Sequence, residues 1–456
     1  MLVCGLLITT SLHSQVEVKG SGNTSATNTF ITKNSNNDTS MLIRDDGKIG
    51  IGNTSPSAKL DVNGRIRNAT GGIEFPDGTV QYTASGASMY QNVFTVAQSG
   101  GDFTSIVNAL AACTSPSPVN RYLIRVMPGI YTEPGIVFCK KFVDMSGSGK
   151  YSCVINAPVQ GEDSCLIENF HLAQGLTCTD VSPFVLHNVI NGPDIDNGTG
   201  ILIETINPEL KARPWIKENE ILDCNGYGIV CQGFGSDAWI LANKIMRNAG
   251  GGIDCIESSP TISNNIIDNN DQWGIHIMGF EGTPAEPTVD DNVISNTGYQ
   301  QGGVGIQIDL YAEPRIFAND IYINEIGIWI YHPSQPSIHN NNINYNYECG
   351  IRCYSSGTNK PPVIMGNHIH SNCPGGGGFQ PAGIFVQDCS PLIMHNTVVN
   401  NDRSGGTDPD IDYSNCSSFF PTISYNVYDN RLAATGPTYA PGQYNTNSAG
   451  TTWINP

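Results

Sequence analysis

Residues 260–278, PTISNNIIDNNDQWGIHIM, contain one complete unit of a repeat that extends over most of the chain. The proline is followed after two positions by Ile262, after five by Asn265, and later by a Gly-Ile pair at 274. Nine further anchors have a β-branched residue and an asparagine at the same spacings: Pro183, Pro214, Ala238, Pro287, Pro314, Pro336, Pro362, Pro391 and Pro421. The unit is therefore strand, asparagine turn, strand, turn, strand.

Two sets of positions define the repeat. The asparagines five residues after the anchors are Asn188, Asn219, Asn243, Asn265, Asn292, Asn319, Asn341, Asn367, Asn396 and Asn426. Gly-Ile pairs begin at 200, 228, 252, 274, 305, 327, 350 and 383. Repeats of three short Ile/Val strands without helical periodicity are typical of solenoids whose coils stack into parallel sheets. The sequence predicts an all-β fold, a right-handed parallel β-helix with three sheets.

The asparagine column is expected to be structural. Asparagine tolerates the left-handed backbone conformation of a tight turn, and its amide can hydrogen-bond to the equivalent amide one coil away. A leucine-rich repeat also has an asparagine ladder. It requires leucines at fixed positions, however, whereas the buried positions here are β-branched.

Composition agrees with a large, β-rich, extracellular or cell-surface protein. The 456 residues include 50 Gly, only 14% are charged, and the formal net charge is −19. This acidity argues against nucleic acid and anionic membrane surfaces as partners, because both attract a basic face. It also disfavours a polyanionic glycan unless a cation lies between the two. No segment after residue 15 is long and apolar enough to span a bilayer.

We expect four segments along the chain. Residues 1–15, MLVCGLLITTSLHSQ, resemble the apolar and cleavage regions of a secretory signal. Residues 16–88 are rich in Asn, Ser, Thr and Gly and form a β-rich or extended stalk. Residues 89–430 form the β-helix, and residues 431–456 form a C-terminal cap or tail. The protein is therefore predicted to be secreted.

The stalk segment contains two recognisable phrases. GIGNTSP at 50–56 continues into KLDVNG at 59–64, and FPDGTVQ follows at 75–81. These phrases resemble the stem segments of bacterial and phage tail-fibre-like proteins. The resemblance implies an intertwined homotrimer that carries a larger distal domain. The alternative is a low-complexity linker, which the low apolar content favours.

The segment after residue 88 has a characteristic beginning. FTVA at 94–97 and GGDFTSI at 100–106 precede NALA at 108–111, which has helical spacing, and PGIYTE follows at 128–133. This beginning resembles that of the pectin-lyase-like superfamily. The resemblance implies a first strand, a short N-terminal helix that caps the open end of the solenoid, and the first coil.

The same resemblance implies architecture rather than chemistry. Members of the superfamily include lyases, hydrolases, esterases, epimerases and non-catalytic fibres. The sequence lacks the Gln-Asp-Thr-Leu and Asp-Phe-Ile-Phe-Gly phrases of the pectin methylesterases. It also lacks the Tyr-Gly-x-Asp-Pro-His phrase of the uronate epimerases.

The strand that begins with Gly-Ile has the outer face on which we expect the functional site. Side chains alternate along a strand, so Gly-Ile-x-Ile-x directs both isoleucines inward and each x outward. The first x along the stack defines column one: Leu202, Val230, Asp254, His276, Gln307, Trp329, Arg352, Phe385 and Asp412. The second x defines column two: Glu204, Gln232, Ile256, Met278, Asp309, Tyr331, Tyr354, Gln387 and Ser414.

The central coils concentrate chemical groups on this face. Two carboxylates beside a histidine support general acid and base chemistry on a sugar, and an arginine binds a uronate or serves as the base of a lyase. The candidate catalytic residues are Asp254, His276, Asp309 and Arg352. Exposed aromatic rings offer flat faces to sugar rings. The candidate substrate-binding residues are Gln307, Trp329, Tyr331, Tyr354, Phe385, Gln387 and Asp412.

Two hypotheses of function follow from this face. The first is a secreted protein that either binds a polysaccharide or cell-surface glycan without reaction or also cleaves it, in which case it is a polysaccharide lyase or glycoside hydrolase. The second is a non-catalytic, fibre-like adhesion or display protein. Under the second hypothesis the outer face is an ordinary strand surface, on which aromatic and β-branched residues are favoured because they pack between strands.

Weaker patterns concern calcium and disulfides. Alternating aspartates at Asp194 and Asp196, and again at Asp408 and Asp410, are hard oxygen ligands of the kind that binds Ca²⁺. Neither set matches a defined calcium loop, and solvated acidic turns are the alternative. Cysteines on neighbouring coils allow three bridges under oxidising conditions. These are Cys231 with Cys255, Cys349 with Cys373, and Cys389 with Cys416.

Overall fold

The structure of the protein is a computed structural model. The described residues are 20, 22–24, 26–63, 73–74, 80–81, 90–298, 302–331, 333–354, 361–374, 381–401, 409–413, 416, 421–428, 432–433, 445–446 and 452–453. The predicted signal at 1–15, Asp408 and Ser414 lie outside these residues, as do most of the FPDGTVQ phrase and most of the predicted C-terminal cap.

The chain divides into two compact units, Met1–Ser88 and Met89–Pro456. The first unit contains a four-stranded sheet and a two-stranded sheet. The strands of the larger sheet are Asn28–Lys33, Thr39–Arg44, Ile49–Ile51 and Leu60–Val62. The strands of the smaller sheet are Ile73–Glu74 and Val80–Gln81. The resemblance to tail-fibre stems and the trimer it implies stay predictions.

The second unit is the predicted parallel β-helix, built from three long sheets. The first sheet consists of Val137–Phe138, Val159–Gln160, Leu176–Thr179, Ile201–Glu204, Tyr227–Gln232, Gly251–Ile256, Trp273–Met278, Val304–Asp309, Ile326–Tyr331, Cys349–Tyr354, Ala382–Gln387, Ile411–Asp412 and Leu432–Ala433. It contains the Gly-Ile strands, so the predicted site residues lie on it.

Two further sheets complete each coil. The second sheet consists of Asn92–Val96, Tyr122–Val126, Val143–Gly147, Leu166–Glu168, Phe184–Leu186, Trp215–Lys217, Trp239–Leu241, Thr261–Ser263, Thr288–Asp290, Arg315–Phe317, Ser337–His339, Val363–Met365, Leu392–Met394 and Thr422–Ser424. The third sheet consists of Gly129–Tyr131, Cys153–Ile155, His171–Leu172, Val189–Ile190, Glu220–Leu222, Lys244–Met246, Ile266–Asp268, Val293–Ser295, Asp320–Tyr322, Asn342–Asn344, His368–His370, Thr397–Val399, Val427–Tyr428, Asn445–Thr446 and Thr452–Trp453. A coil runs from the second sheet to the third and then to the first.

A helix, Ile106–Ala112, lies near the beginning of the solenoid, as predicted. The Ser105 hydroxyl caps its N-terminus by accepting the Asn108 N–H at 3.2 Å. The Glu133 carboxylate accepts the Ser105 hydroxyl and the first helical N–H, each at 2.7 Å. The buried face of the helix covers the apolar core with Ile106, Ala109 and Leu110.

The predicted asparagine ladder runs without interruption from Asn188 to Asn426. The Asn265 side chain shows the pattern: its amide donates to the Ile240 carbonyl at 2.8 Å and to the Asn292 side-chain oxygen at 3.0 Å. The Asn265 backbone N–H donates to the same Asn292 oxygen at 2.9 Å. Each rung therefore satisfies buried backbone groups of neighbouring coils.

One detail of the ladder corrects the sequence analysis. The left-handed residue is the one before each ladder asparagine, as Asn264 is at φ 58° before Asn265. The other left-handed residues of this set are His187, Glu218, Ala242, Asp291, Ala318, Asn340, Gly366, His395 and Tyr425. The ladder asparagine itself is needed for its amide, which binds three or more partners at once, rather than for left-handed φ.

A second ladder, which the sequence analysis missed, lies five residues after the first. Its rungs at this spacing are Asn248, Asn270, Thr297, Asn324, Asn346, Asn372 and Asn401, and Asp410 accepts the last of them outside the spacing. A constant spacing of five residues between two asparagines was the available signal. Asp410 is fully buried and accepts the Asn401 amide at 3.3 Å, so it belongs to this ladder and does not lie in a solvated acidic turn.

The glycine of each Gly-Ile pair makes room for this second ladder. A Cβ on Gly252 would lie 2.4 Å from the Gly274 carbonyl oxygen, 2.8 Å from Ile267 Cγ2 and 3.2 Å from the Asn270 amide nitrogen. The same conflict recurs at Gly228, Gly305, Gly327, Gly350 and Gly383. A larger residue would therefore displace both a rung and the adjacent coil.

The cysteines are mostly core residues, and their pairing corrects the predicted bridges. Cys231 and Cys255 face each other in register but are free, buried thiols. The Cys373 thiol donates to the Glu348 carbonyl. The disulfide in the described part of the chain joins Cys353 to Cys389 instead, with their Cα atoms 6.4 Å apart. No helix among the described residues has the length and apolarity needed to cross a bilayer.

The second ladder has one defective rung, which gives a stability prediction. Thr297 is fully buried, and its hydroxyl has no hydrogen-bond partner among the described residues. The glycine beside this rung, Gly274, leaves room comparable to that beside the asparagine rungs. Changing Thr297→Asn supplies the missing amide, so we expect the free energy of unfolding to rise by about 1 kcal/mol.

Urea unfolding of the full chain measures this change. Thr297→Val is the matched control, because it removes the unpaired hydroxyl without adding an amide. Equal stability of the asparagine and valine variants would contradict the ladder as the source of the gain.

Candidate functional site

The outer face of the first sheet brings column one together in register. Strand pairing places Asp254 beside His276, His276 beside Gln307, and Gln307 beside Trp329. The flanking isoleucines point into the core: Ile275 and Ile277 have no exposed surface. The alternation of buried and outward residues therefore aligns one polar or aromatic side chain per coil.

Three of the four predicted catalytic side chains form a hydrogen-bonded line. His276 Nδ1 lies 2.8 Å from Asp254 Oδ1, and His276 Nε2 lies 3.1 Å from Asp309 Oδ2. The side chains of Asp254 and His276 are 7% and 10% exposed, whereas the Asp309 side chain is 18% exposed. Asp309 is thus the member of the line that meets solvent.

Two further side chains fix the orientation of this line. The Gln307 amide donates to Asp309 Oδ2 at 2.7 Å, and the Gln307 carbonyl accepts the Trp273 indole N–H at 2.7 Å. The Trp273 ring also stacks on the His276 ring, with centroids 4.7 Å apart. Both ends of Gln307 are therefore engaged, and it holds the Asp309 carboxylate in one position.

The two carboxylates make His276 a cation at neutral pH. Burial lowers the pKa of His276, but the hydrogen bonds and charges of Asp254 and Asp309 outweigh it and raise that pKa to about 9. A charged imidazole donates both N–H groups to the carboxylates. His276 is therefore not a general base at neutral pH, and it acts by holding Asp309.

A cleft of about 280 Å³ opens beside Asp309. Its lining residues are Gln307, Asp309, Leu310, Trp329 and Tyr331. The Tyr331 side chain is prominently exposed, and its ring stacks on Tyr354 with centroids 5.3 Å apart. Asp309, Tyr331 and Tyr354 follow each other in column two, so the ring face of Tyr331 away from Tyr354 is turned toward the Asp309 coil.

The corner next to the cleft has unusual backbone geometry. Leu310 and Tyr311 are consecutive left-handed residues, at φ 38° and 57°. Such residues without glycine cost of order 1–3 kcal/mol each and concentrate at functional sites. The Leu310 carbonyl accepts the Gly279 N–H at 2.8 Å, which holds the turn. Leu310 thereby forms an apolar edge of the cleft.

Two predicted site residues have other roles, which corrects the sequence analysis. Arg352 pairs with Glu348 and lies over the Trp329 ring, so it does not join the Asp254–His276–Asp309 line as a lyase base. Phe385 is 1% exposed and offers no free face to a sugar, because it packs into an apolar cluster on the outer side of the sheet. Gln387 and Asp412 continue columns two and one at the far end.

The cluster around Phe385 depends on a third column that the sequence analysis missed. Its members lie three residues before those of column one: Tyr227, Gly251, Trp273, Val304, Ile326, Cys349 and Ala382. Strict alternation would direct them inward. A glycine follows each of them, and the strand pairing skips this glycine, which breaks the alternation. An apolar residue before Gly-Ile was the signal for this column.

The remaining metal candidates are not clustered. Asp194 and Asp196 are exposed, and the Asp194 carboxylate accepts the Asn225 amide at 3.1 Å. Among the residues that the structure describes, no group of three or more His, Cys, Asp or Glu side chains is placed to hold a metal ion. Asp408 lies outside those residues.

The family model of the right-handed β-helix region matches residues 157–300 and 278–402. The chain belongs to this β-helix family. The two matches together cover more than half of the 456 residues and include all the candidate site residues between Asp254 and Gln387. The predicted right-handed parallel β-helix is thereby confirmed. No curated protein matches the chain.

Solved structures of similar architecture share little sequence with the chain. The A-module of a mannuronan C-5 epimerase from Azotobacter vinelandii has 16% identity and a TM-score of 0.45, over 77% of this chain and 93% of that one. An α-1,3-glucanase catalytic unit from Streptomyces thermodiastaticus has 14% identity and a TM-score of 0.42, over 82% and 72%. The Dettilon tailspike protein has 17% identity and a TM-score of 0.37, over 74% and 70%.

The line of carboxylates around His276 gives a pH prediction. In spectra of histidine-labelled protein, the His276 ring should titrate near pH 9, and Asp309→Asn should move its pKa toward the ordinary 6.5 because one anionic partner is lost. His370 serves as a control in the same spectra, because burial and the neighbouring His368 lower its pKa. A His276 pKa below 6.5 would contradict the arrangement.

The protonation of His276 also makes the stability of the protein depend on pH. Since the folded pKa is raised, the contribution of His276 to stability is fully present below pH 6.5 and is lost as pH rises through about 9. The stability advantage of the wild type over His276→Gln should therefore shrink across that window.

Proposed function

We propose that this β-helix binds a polysaccharide along the exterior of the first sheet, with the cleft beside Asp309 as the central subsite. The observation that carries the proposal is the combination of an exposed aromatic ring, Tyr331, and an oriented carboxylate, Asp309, in one cleft. Sites for small organic groups typically have apolar or aromatic walls and a few well-placed polar atoms. A sugar ring needs both, because it has apolar C–H faces and hydroxyl edges.

The columns also suit an extended ligand. Neighbouring coils are spaced about 4.8 Å apart, so a chain that runs along the solenoid axis meets one new residue of each column per coil. Beyond Tyr331 such a chain passes Tyr354, which is 38% exposed, and then Gln387. Aromatic and amide groups in this order supply consecutive contacts to a polymer.

Cleavage of the bound polysaccharide is the second candidate function. It is favoured by the hydrogen-bonded line, since such lines pre-organise a reactive group. Asp309 is the carboxylate of the line that meets solvent and fits the role of general base or nucleophile in a hydrolase or lyase. His276 and Asp254 then act as positioning residues, because both are buried behind Asp309. The Glu348 ion pair leaves Arg352 outside this chemistry.

The alternative is a secreted or surface display rod without a ligand in the cleft. It assigns the Tyr331 and Tyr354 stack to ordinary packing between strands. It also includes the trimer that the resemblance of the N-terminal segment implies. Binding to a glycan separates the two functions, whereas oligomeric state does not, because a trimer can also bind sugars.

The binding proposal predicts a specific loss on changing Tyr331→Ala. On a broad glycan array, the full chain should bind a defined glycan, and the variant should bind it about tenfold more weakly, because a stacked aromatic contact is lost. Tyr151→Ala is the matched control. Tyr151 is 73% exposed on an early coil, away from the cleft, and its removal should leave the affinity unchanged.

Two results bear directly on the choice between functions. Absence of any glycan binding, or equal binding by wild type and Tyr331→Ala, would favour the display rod. Release of reducing ends or unsaturated products from the bound glycan, lost in Asp309→Asn, would establish cleavage.

A further inference from the structure

The charge of the cleft restricts the kind of sugar that it accepts. Asp254 and Asp309 contribute two negative charges, and His276 contributes one positive charge, so the line has a net charge of −1. A neutral imidazole would make the site more negative still. The nearest cation on column one, Arg352, is already paired with Glu348. The cleft is therefore anionic in either protonation state of His276.

One oxygen of Asp309 is available to a ligand. Both donors, the His276 ring and the Gln307 amide, bind Asp309 Oδ2. Among the described residues, no hydrogen bond to Asp309 Oδ1 is present, and the side chain lines the cleft. A ligand donor can reach this oxygen without breaking the network. A charged donor would form a shorter and stronger hydrogen bond there than a hydroxyl would.

The aromatic walls add to the preference for positive charge. Tyr331 presents a ring to the same cleft, and aromatic faces attract ammonium groups through the ring quadrupole. The neighbouring Trp329 ring already has a cation over it, the Arg352 guanidinium at 5.4 Å. A carboxylate oxygen beside an exposed ring is a common arrangement for binding a protonated amine. A uronate, in contrast, would bring a second carboxylate next to Asp309.

We propose that the cleft selects a glycan unit with a protonated amine, that is, a de-N-acetylated amino sugar, over its N-acetylated, neutral and uronate counterparts. The inference rests on the proposed glycan-binding function and specifies its substrate class. The formal net charge of −19 acts in the same direction, because it attracts a cationic polymer toward the protein.

Matched oligosaccharides test the inference with the full chain. The probes are glucosamine and galactosamine oligomers, the same oligomers after N-acetylation, and oligomers of glucuronate and galacturonate. Within at least one pair, the amine form should bind about tenfold more tightly than the N-acetylated form, since a charged donor replaces a neutral one. The ratio should shrink at high salt, because part of the preference is electrostatic.

A pair of variants locates the preference. Asp309→Asn should reduce the amine-to-acetyl ratio to about one, because the isosteric amide has no charge. Glu204→Gln removes the same charge from an earlier coil of column two, where Glu204 already accepts from Thr179 and Gln232, and should retain the ratio.

The possible outcomes separate the amine preference from the glycan-binding function on which it rests. Tyr331-dependent binding of neutral or uronate glycans without an amine advantage would overturn the amine preference and leave the glycan-binding function standing. Absence of binding to every probe and to the broader array would overturn both. An equal loss of the ratio in Glu204→Gln would assign it to the overall charge rather than to the cleft.

Discussion

Two ladders of buried amide side chains hold the coils of this protein in register. A left-handed residue precedes each rung except Asp410 and costs roughly 1–2 kcal/mol when it is not glycine. The rungs offset this cost by satisfying backbone groups that would otherwise be buried without partners. The Gly-Ile glycines are part of the same arrangement, because a Cβ at Gly252 would strike the next coil and Asn270.

This register converts positions far apart in sequence into one site. Asp254 lies 22 residues before His276, and Asp309 lies 33 residues after it, yet all three meet because their coils are neighbours. A shift of one residue in the register of any coil would point that coil's column residue into the core instead of outward. The carboxylates, the charged imidazole and the cleft therefore depend on the ladders, although no ladder residue touches the cleft.

Much of this arrangement could be predicted from sequence, because it follows from periodicity. The three-sheet solenoid, the ladder at Asn265 and the neighbouring positions of Asp254 and His276 all follow from a repeated spacing. Where the alternation of inward and outward side chains along a strand is broken, the direction of a side chain could not be predicted in this way. Trp273 precedes a glycine that the strand pairing skips, so its stacking on His276 does not follow from the repeated spacing. The burial of Phe385 likewise depends on packing between coils, which one repeat does not encode.

The most direct test of the account is the pKa of His276 in a protein that lacks one rung, Asn270→Ala. Asn270 lies on the same coil as His276 and accepts the Asn248 amide at 2.9 Å. We expect a loss of about 3 kcal/mol in the free energy of unfolding and a fall in the His276 pKa, because the Asp254 coil loses its side-chain bonds to the His276 coil at this rung. Asn225→Ala, an exposed asparagine, should change neither. A destabilised Asn270→Ala protein whose His276 still titrates near pH 9 would show that the site holds itself together without the ladder.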